Sequence, residues 1–263
     1  MRARRLLFTA VLILTLIACA PSKTVESDGP VPTQSQTPEE TAPTELVWTD
    51  QSFVRDFTAD DGTVVMSVEY LFPGITRAEQ VPAWQKIQDY YAAEGMAYLN
   101  DAADLAGYAA GDYEVAKAMG EDFLPYGESM SYRISLQTED LASIVRSYYA
   151  NSVTGAAHPS NFQFSETFDL TTGEKLTLDD CFTDAAAGRT RVLDLLAQKG
   201  GDAGYSRESL EAELNDAYFY LNDEGMVIYY QPDTLAPYAA GLLEFTLPYA
   251  DLQDLLAISP IPS

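Results

Sequence analysis

Phe162-Gln163-Phe164-Ser165-Glu166-Thr167-Phe168-Asp169, followed by the turn Thr172-Gly173-Glu174, sets the register from which the rest of the chain can be read. Phe162, Phe164 and Phe168 alternate with Gln163, Ser165, Thr167 and Asp169, and a period of two belongs to a strand with one apolar and one polar face. The turn leads into a second strand over residues 175–178. Glu166 breaks the pattern, because it stands in phase with the phenylalanines. An ionised carboxylate is costly to bury, so Glu166 is expected near the strand end with its charge at the sheet rim. It is also the single acid with the best claim to contact a ligand.

The same periods recur on either side. Residues 52–57 and 63–72 read as strands joined by Asp60-Asp61-Gly62, and residues 218–221 and 226–231 as a hairpin around Asn222-Asp223-Glu224-Gly225. Residues 129–137, 142–150 and 243–247 also read as strands. Trp84, Ile87, Tyr91, Tyr98, Ala102 and Leu105 instead follow steps of three and four, which predicts a long amphipathic helix, with a second helix over 113–121. Further helices are expected over 185–199 and 208–217, the latter capped by Ser206, and a short terminal one over 249–256. Hairpin-paired strands with helices in blocks between them indicate an α+β fold of mainly antiparallel sheet. Two small domains are expected, at 45–150 and 151–258.

The N-terminus reads as an address. Arg2, Arg4 and Arg5 precede an apolar run over residues 6–17, broken only by Thr9 and Thr15, and Leu16-Ile17-Ala18-Cys19 follows. This is a signal peptide, residues 1–18, ending in a lipobox, with Cys19 as the lipidated first residue of the mature chain. The run falls short of the roughly 20 apolar residues that span a bilayer, and two acyl chains suffice for stable anchoring. Residues 20–44 carry Pro21, Pro30, Pro32, Pro38 and Pro43 among Ser, Thr, Glu and Gln, so 19–44 is expected to be a lipidated, disordered tether. The expected location is the cell surface or the extracytoplasmic face of the membrane.

Charge and composition exclude more than they assign. With 40 Asp and Glu against 15 Lys and Arg the formal charge is −25, and removal of residues 1–18 takes three Arg and no acid, moving it to −28. Nucleic acid is therefore not an expected partner, since its binding draws on Lys and Arg neutralising phosphates. His158 is the only histidine, which rules out H-E-x-x-H zinc catalysis, and no G-x-S-x-G or phosphate-binding glycine loop is present. The alternate positions before Gly62 (Asp61, Ala59, Phe57) and Gly225 (Glu224, Asn222, Tyr220) each miss at least one oxygen ligand of a calcium loop and read as turns. No metal or cofactor is expected. A pair of carboxylates could still perform hydrolysis, but among 40 acids spacing singles out no pair. Cys181 reads as a small buried core residue.

Three stretches are specific in combination: Leu141-Ala142-Ser143-Ile144-Val145-Arg146-Ser147-Tyr148-Tyr149, Gly155-Ala156-Ala157-His158-Pro159, and Phe168-Asp169-Leu170-Thr171-Thr172-Gly173-Glu174-Lys175-Leu176-Thr177-Leu178. Together with Phe219-Tyr220-Leu221-Asn222 and Pro237-Tyr238-Ala239-Ala240-Gly241, they resemble the paired extracellular domains of unknown function in anti-sigma-V-type factors. Similar domains occur at the N-terminus of certain cell-wall polysaccharide deacetylases. The resemblance implies a non-catalytic binding or sensing role outside the cell, with a lysozyme-like basic protein or a cell-wall glycan as ligand. Neither the cytoplasmic segment nor the catalytic domain of those relatives is expected here, so sigma-factor inhibition and deacetylation are not implied. His158, Tyr148, Tyr149 and Glu166 are the candidate ligand-binding residues, the two tyrosines on opposite faces of one strand. The alternatives are an envelope hydrolase using two carboxylates and a structural envelope lipoprotein. The latter would show a large exposed apolar patch.

Overall fold

The computed structural model describes residues 45–151, 158–201, 203–215 and 218–260. The expected signal peptide, Cys19 and the tether lie outside the described residues.

Six strands form one sheet whose spatial order is their chain order: β1 (Trp48–Thr58), β2 (Val64–Ile75), β3 (Tyr126–Gln137), β4 (Leu141–Asn151), β5 (Ser160–Asp169) and β6 (Lys175–Leu176). All neighbours are antiparallel except β2 and β3, which run parallel. A parallel pair needs a crossover, and α1 (Pro82–Met119) supplies it. Pro82 opens this helix at a position where its missing N–H costs nothing, and Gly120 closes it at φ 70°. Its buried stripe of Trp84, Ile87, Tyr91, Ala102, Ala106 and Ala109 packs with Met66, Val68, Tyr70 and Phe72 of β2 in one core. Gly95 lets helix and sheet approach: a Cβ there would lie 2.1 Å from Phe53 Cε2. At Gly173 (φ 74°) a Cβ would lie 2.3 Å from the carbonyl oxygen of Ala83, so the Thr172-Gly173-Glu174 turn sits against the first turn of α1.

A second sheet, β7 (Phe219–Leu221), β8 (Gly225–Tyr230) and β9 (Leu243–Pro248), is antiparallel throughout. β8 is buried along its whole length because both faces are covered. Tyr220, Val227 and Tyr229 meet Val145 of β4. Phe219, Leu221, Met226, Ile228 and Tyr230 face the core built with Leu193 and Leu196 of α2 (Ala185–Gly201) and Leu210 of α3 (Arg207–Ala212). The polar face of β4 and β5 is used where the sheets meet. Ser143 Oγ accepts from the Leu221 N–H at 2.9 Å, and Ser165 Oγ donates to the Phe219 carbonyl at 2.5 Å. The fold is α+β, and the hairpins at Asp60-Asp61-Gly62 and at 222–225 stand where the sequence predicts them.

Four expectations are corrected. The boundary at 150/151 falls at the end of β4, which is hydrogen-bonded to β5 over ten residue pairs, so residues 160–169 continue the first sheet. The two helices expected over 84–105 and 113–121 are one helix of 38 residues, about 57 Å long, because Ala106, Ala109 and Tyr113 continue its packed stripe. Helix α3 stops at Ala212, although Ser206 caps it as predicted, its Oγ accepting from the Ser209 N–H at 3.1 Å. No terminal helix runs over 249–256. A 3₁₀ turn, Tyr249–Asp251, gives way to a segment that bonds residues 181–183 through Thr183 N to Leu255 O and Ala257 N to Cys181 O. Cys181 is fully buried, and burial pushes its thiol pKa up to about 12.

Candidate functional site

β4 and β5 carry Tyr148, Tyr149 and Glu166, His158 lies just before β5, and the four meet three different surroundings. Glu166 and Arg146 are diagonal neighbours on the face beneath α1, since Arg146 pairs with Phe164 and Ile144 with Glu166. The guanidinium grips the carboxylate with two nitrogens, Nη2 to Oε1 at 2.5 Å and Nε to Oε2 at 3.1 Å. Tyr91 donates to Oε2 at 3.2 Å, Tyr90 reaches Oε1 at 3.5 Å, and Arg146 Nη2 also contacts Glu94 at 3.3 Å. Phe72, Tyr91 and Phe164 surround the guanidinium, with ring centroids 5.2, 5.9 and 5.3 Å from its carbon. Burial works against the charge on Arg146, but Glu166 outweighs it and holds the guanidinium pKa above its ordinary value. Glu166 is 5% exposed and Arg146 2%. The carboxylate expected at the sheet rim is therefore buried. It clamps the sheet to α1 and is withdrawn from any ligand.

Tyr148 lines a cleft at the other end of the same strand pair, and His158 touches that cleft only through Tyr238. Tyr148 is half-buried, packed on Tyr98 at 5.7 Å and on Phe162 at 6.5 Å between centroids. Burial first, and then Glu128, drive its hydroxyl pKa well above the ordinary value. His158 lies flat on Tyr238, with 3.6 Å between centroids and 12° between planes. The Tyr238 hydroxyl donates to the Pro159 carbonyl at 2.7 Å and accepts from Asn161 Nδ2 at 2.6 Å, so the ring is fixed at both its edge and its face. The cleft, of about 520 Å³, is lined by Tyr148, Asn161, Phe162, Gln163, Tyr238 and Gly241 among others, none of them charged. A second cleft of about 750 Å³ adjoins it and shares Phe162 and Pro232. Between them the Gln231 side chain bonds both peptide groups of Gln163, accepting from its N–H at 3.2 Å and donating to its carbonyl at 2.5 Å. It covers the edge of β5 where β6, paired only with Thr167 and Phe168, does not reach.

Tyr149 goes elsewhere. It stands in register with Ser129 and Asn161, is 43% exposed, and borders a shallow groove with Val54, Asp56, Glu69 and Glu128. Among the described residues no three or more His, Cys, Asp or Glu side chains are grouped to hold a metal. Sequence reasoning missed Tyr238, Asn161, Gln163 and Gln231 as cleft residues, and Arg146 as the partner of Glu166. Only the last had a usable signal, an arginine in phase with Ile144 in an apolar strand.

The family described as "Protein of unknown function (DUF3298)" matches residues 194–250, from the middle of α2 into the turn after β9. No curated protein matches the chain. Among solved structures, a DUF3298 family member from Bacteroides fragilis is 18% identical with a TM-score of 0.63, covering 82% of this chain and 95% of its own. A DUF3298 family protein from Pseudomonas aeruginosa is 15% identical with a TM-score of 0.53, covering 84% and 98%. At these identities the likeness is one of fold, and the matched family is one of unknown function.

Proposed function

We propose that this chain is an exported lipoprotein, anchored through Cys19 at the extracytoplasmic face of the membrane, whose folded part is a non-catalytic binding or sensing module. The ligand is a cell-wall component or an extracellular protein of lysozyme-like type. The observation that carries the reading is the cleft at Phe162. One of the four candidate residues, Tyr148, lines it, and a second, His158, stacks on its Tyr238, which is held rigidly among groups suited to recognition. The residues of the two adjoining clefts include a single acid, Glu213, and the carboxylates Glu94 and Glu166 share one guanidinium nitrogen, which does not favour two-carboxylate hydrolysis. The charge of −25 favours fast encounter with a cationic protein and gives the lysozyme-like ligand its support.

The test has two parts. Metabolic labelling with a fatty-acid analogue is expected to mark the wild-type chain and not Cys19→Ala. The mature chain is then used to capture cell-wall sacculi and basic hydrolases at low and high salt. Retention of either class supports the reading, and retention of neither removes it.

One observation favours the structural alternative: Tyr108, Val115 and Met119 lie exposed along one side of α1, with Leu124 just beyond it. If that row is an assembly surface, light scattering shows an oligomer that Met119→Asp dissolves.

A further inference from the structure

We infer that the trough running past Phe162 binds an uncharged polysaccharide strand, a chain of neutral pyranose rings. The inference rests on the binding role proposed above and names its ligand class. Charge comes first. In a chain of net charge −25, the cleft beside Tyr238 has no charged residue in its lining, so it offers an ionic ligand neither attraction nor a partner. What it offers instead are aromatic surfaces and neutral hydrogen-bonding groups in the same wall.

A pyranose ring presents the same combination, with a face of C–H groups that packs on an aromatic ring and an edge of hydroxyls that bond amides. Phe162 is 44% exposed although its strand partners Phe164 and Phe168 are covered, and Asn161 and Gln163 flank it. Tyr238 is immobilised by His158, Pro159 and Asn161, so it loses little freedom when a ligand packs near it. Shape points to a chain of rings. The clefts of about 520 and 750 Å³ meet at Phe162 and Pro232, and the second adds Tyr218, Asn215 and Thr234, with Arg189, ion-paired to Asp179, and Glu213 as its charged residues. A single small ligand would fill one of them, since such sites span roughly 300–1,000 Å³. An oligomer can pass from one to the other across the Phe162 ring.

The experiment is calorimetric titration of the full mature chain, in detergent, with chitohexaose, cellohexaose and glycan strands released from sacculi. Binding of chitohexaose or cellohexaose supports the inference, and binding of the wall strand alone, whose lactyl groups carry a carboxylate, overturns the uncharged ligand class. The three arms distinguish an acetamido-bearing ring, a plain ring and a lactyl-bearing wall strand. Phe162→Ala is expected to weaken binding by about tenfold or more without lowering the melting temperature, as is Asn161→Asp, while Tyr149→Ala, on the opposite face, leaves it unchanged. No binding of any strand up to about 5 mM overturns the inference, as does equal binding by wild type and Phe162→Ala. Salt-sensitive capture of a basic hydrolase by the same preparation, without sugar binding, would overturn the ligand class and leave the binding role standing. Failure of both captures as well removes the two together.

Discussion

Glu166→Ala tests how the interior is held together. The substitution leaves Arg146, 2% exposed, with its charge, three surrounding aromatic rings and only the 3.3 Å contact to Glu94 as an ionic partner. It also frees the Tyr91 hydroxyl, which donates to Glu166 at 3.2 Å. Breaking one side of a buried pair costs about 3–5 kcal/mol, because the remaining charge keeps its desolvation penalty and loses its compensation. For a domain of this size each kcal/mol lowers the melting temperature by about 2–4 °C, so a drop of roughly 6–20 °C is expected. Urea titration should show the midpoint falling at constant slope. The informative comparison is Arg146→Met with Glu166→Leu in one chain, which removes both charges while filling similar volume. It should recover most of the loss, or exceed wild type by about 1–4 kcal/mol. A single variant costing less than about 1 kcal/mol would mean that water reaches the guanidinium, and the buried clamp would be wrong. A double variant as unstable as the single one would assign the loss to packing and remove the charge argument.

Gly95→Ala gains about 1 kcal/mol of helix propensity but puts a Cβ 2.1 Å from the Phe53 ring, so a net loss of about 1–2 kcal/mol is expected in urea. Adding Phe53→Leu should restore part of it, and a stabilised single variant would refute the close approach. Burial works against the charge on Asp169, but hydrogen bonds from Thr171 and Thr172 outweigh it and hold its pKa below the ordinary value. A depressed pKa contributes stability that is present above about pH 4 and lost as pH falls through the folded-state value. Asp169→Asn should therefore flatten part of the acid limb of a stability profile, and an unchanged limb would discount the turn. Cys181 should resist a thiol-specific disulfide reagent at pH 8 and react once urea unfolds the chain, since its thiol is buried and its pKa raised to about 12. Prompt labelling of the native protein would contradict that burial.

Most of the fold is legible in local pattern, and its failures have physical causes. Strand limits and hairpins follow from alternation and from Asp60-Asp61-Gly62 and Asn222-Asp223-Glu224-Gly225, which are local signals. The sheet that joins β4 to β5 is not local. Nothing between Asn151 and Ser160 distinguishes a domain linker from a strand connection, because pairing is decided by partners far along the chain. Local pattern divides helix α1 because residues 106–112 contain Gly107 and Gly111. Those glycines cost helix propensity, but Ala109 and Tyr113 keep the stripe packed on the sheet.

The candidate site shows the same limit more sharply. Alternation assigns Phe162, Phe164, Glu166 and Phe168 to one face of β5, and the structure agrees. What lies above that face changes along the strand, and periodicity carries no information about it. Over Glu166 and Phe168 sit Tyr90 and Tyr91 of α1, and Arg146 makes burial of the carboxylate tolerable. Over Phe164 sits Tyr98. At Phe162 the helix has passed, and the ring faces solvent between two clefts. The residue that looked most chemical, Glu166, is thus consumed by structure, and a phenylalanine that looked like core becomes the exposed surface. The crossing line of α1 over β4 and β5 decides both outcomes. Helix α1 meets the buried ion pair through Tyr90, Tyr91 and Glu94, four strand residues or about 13 Å from Phe162.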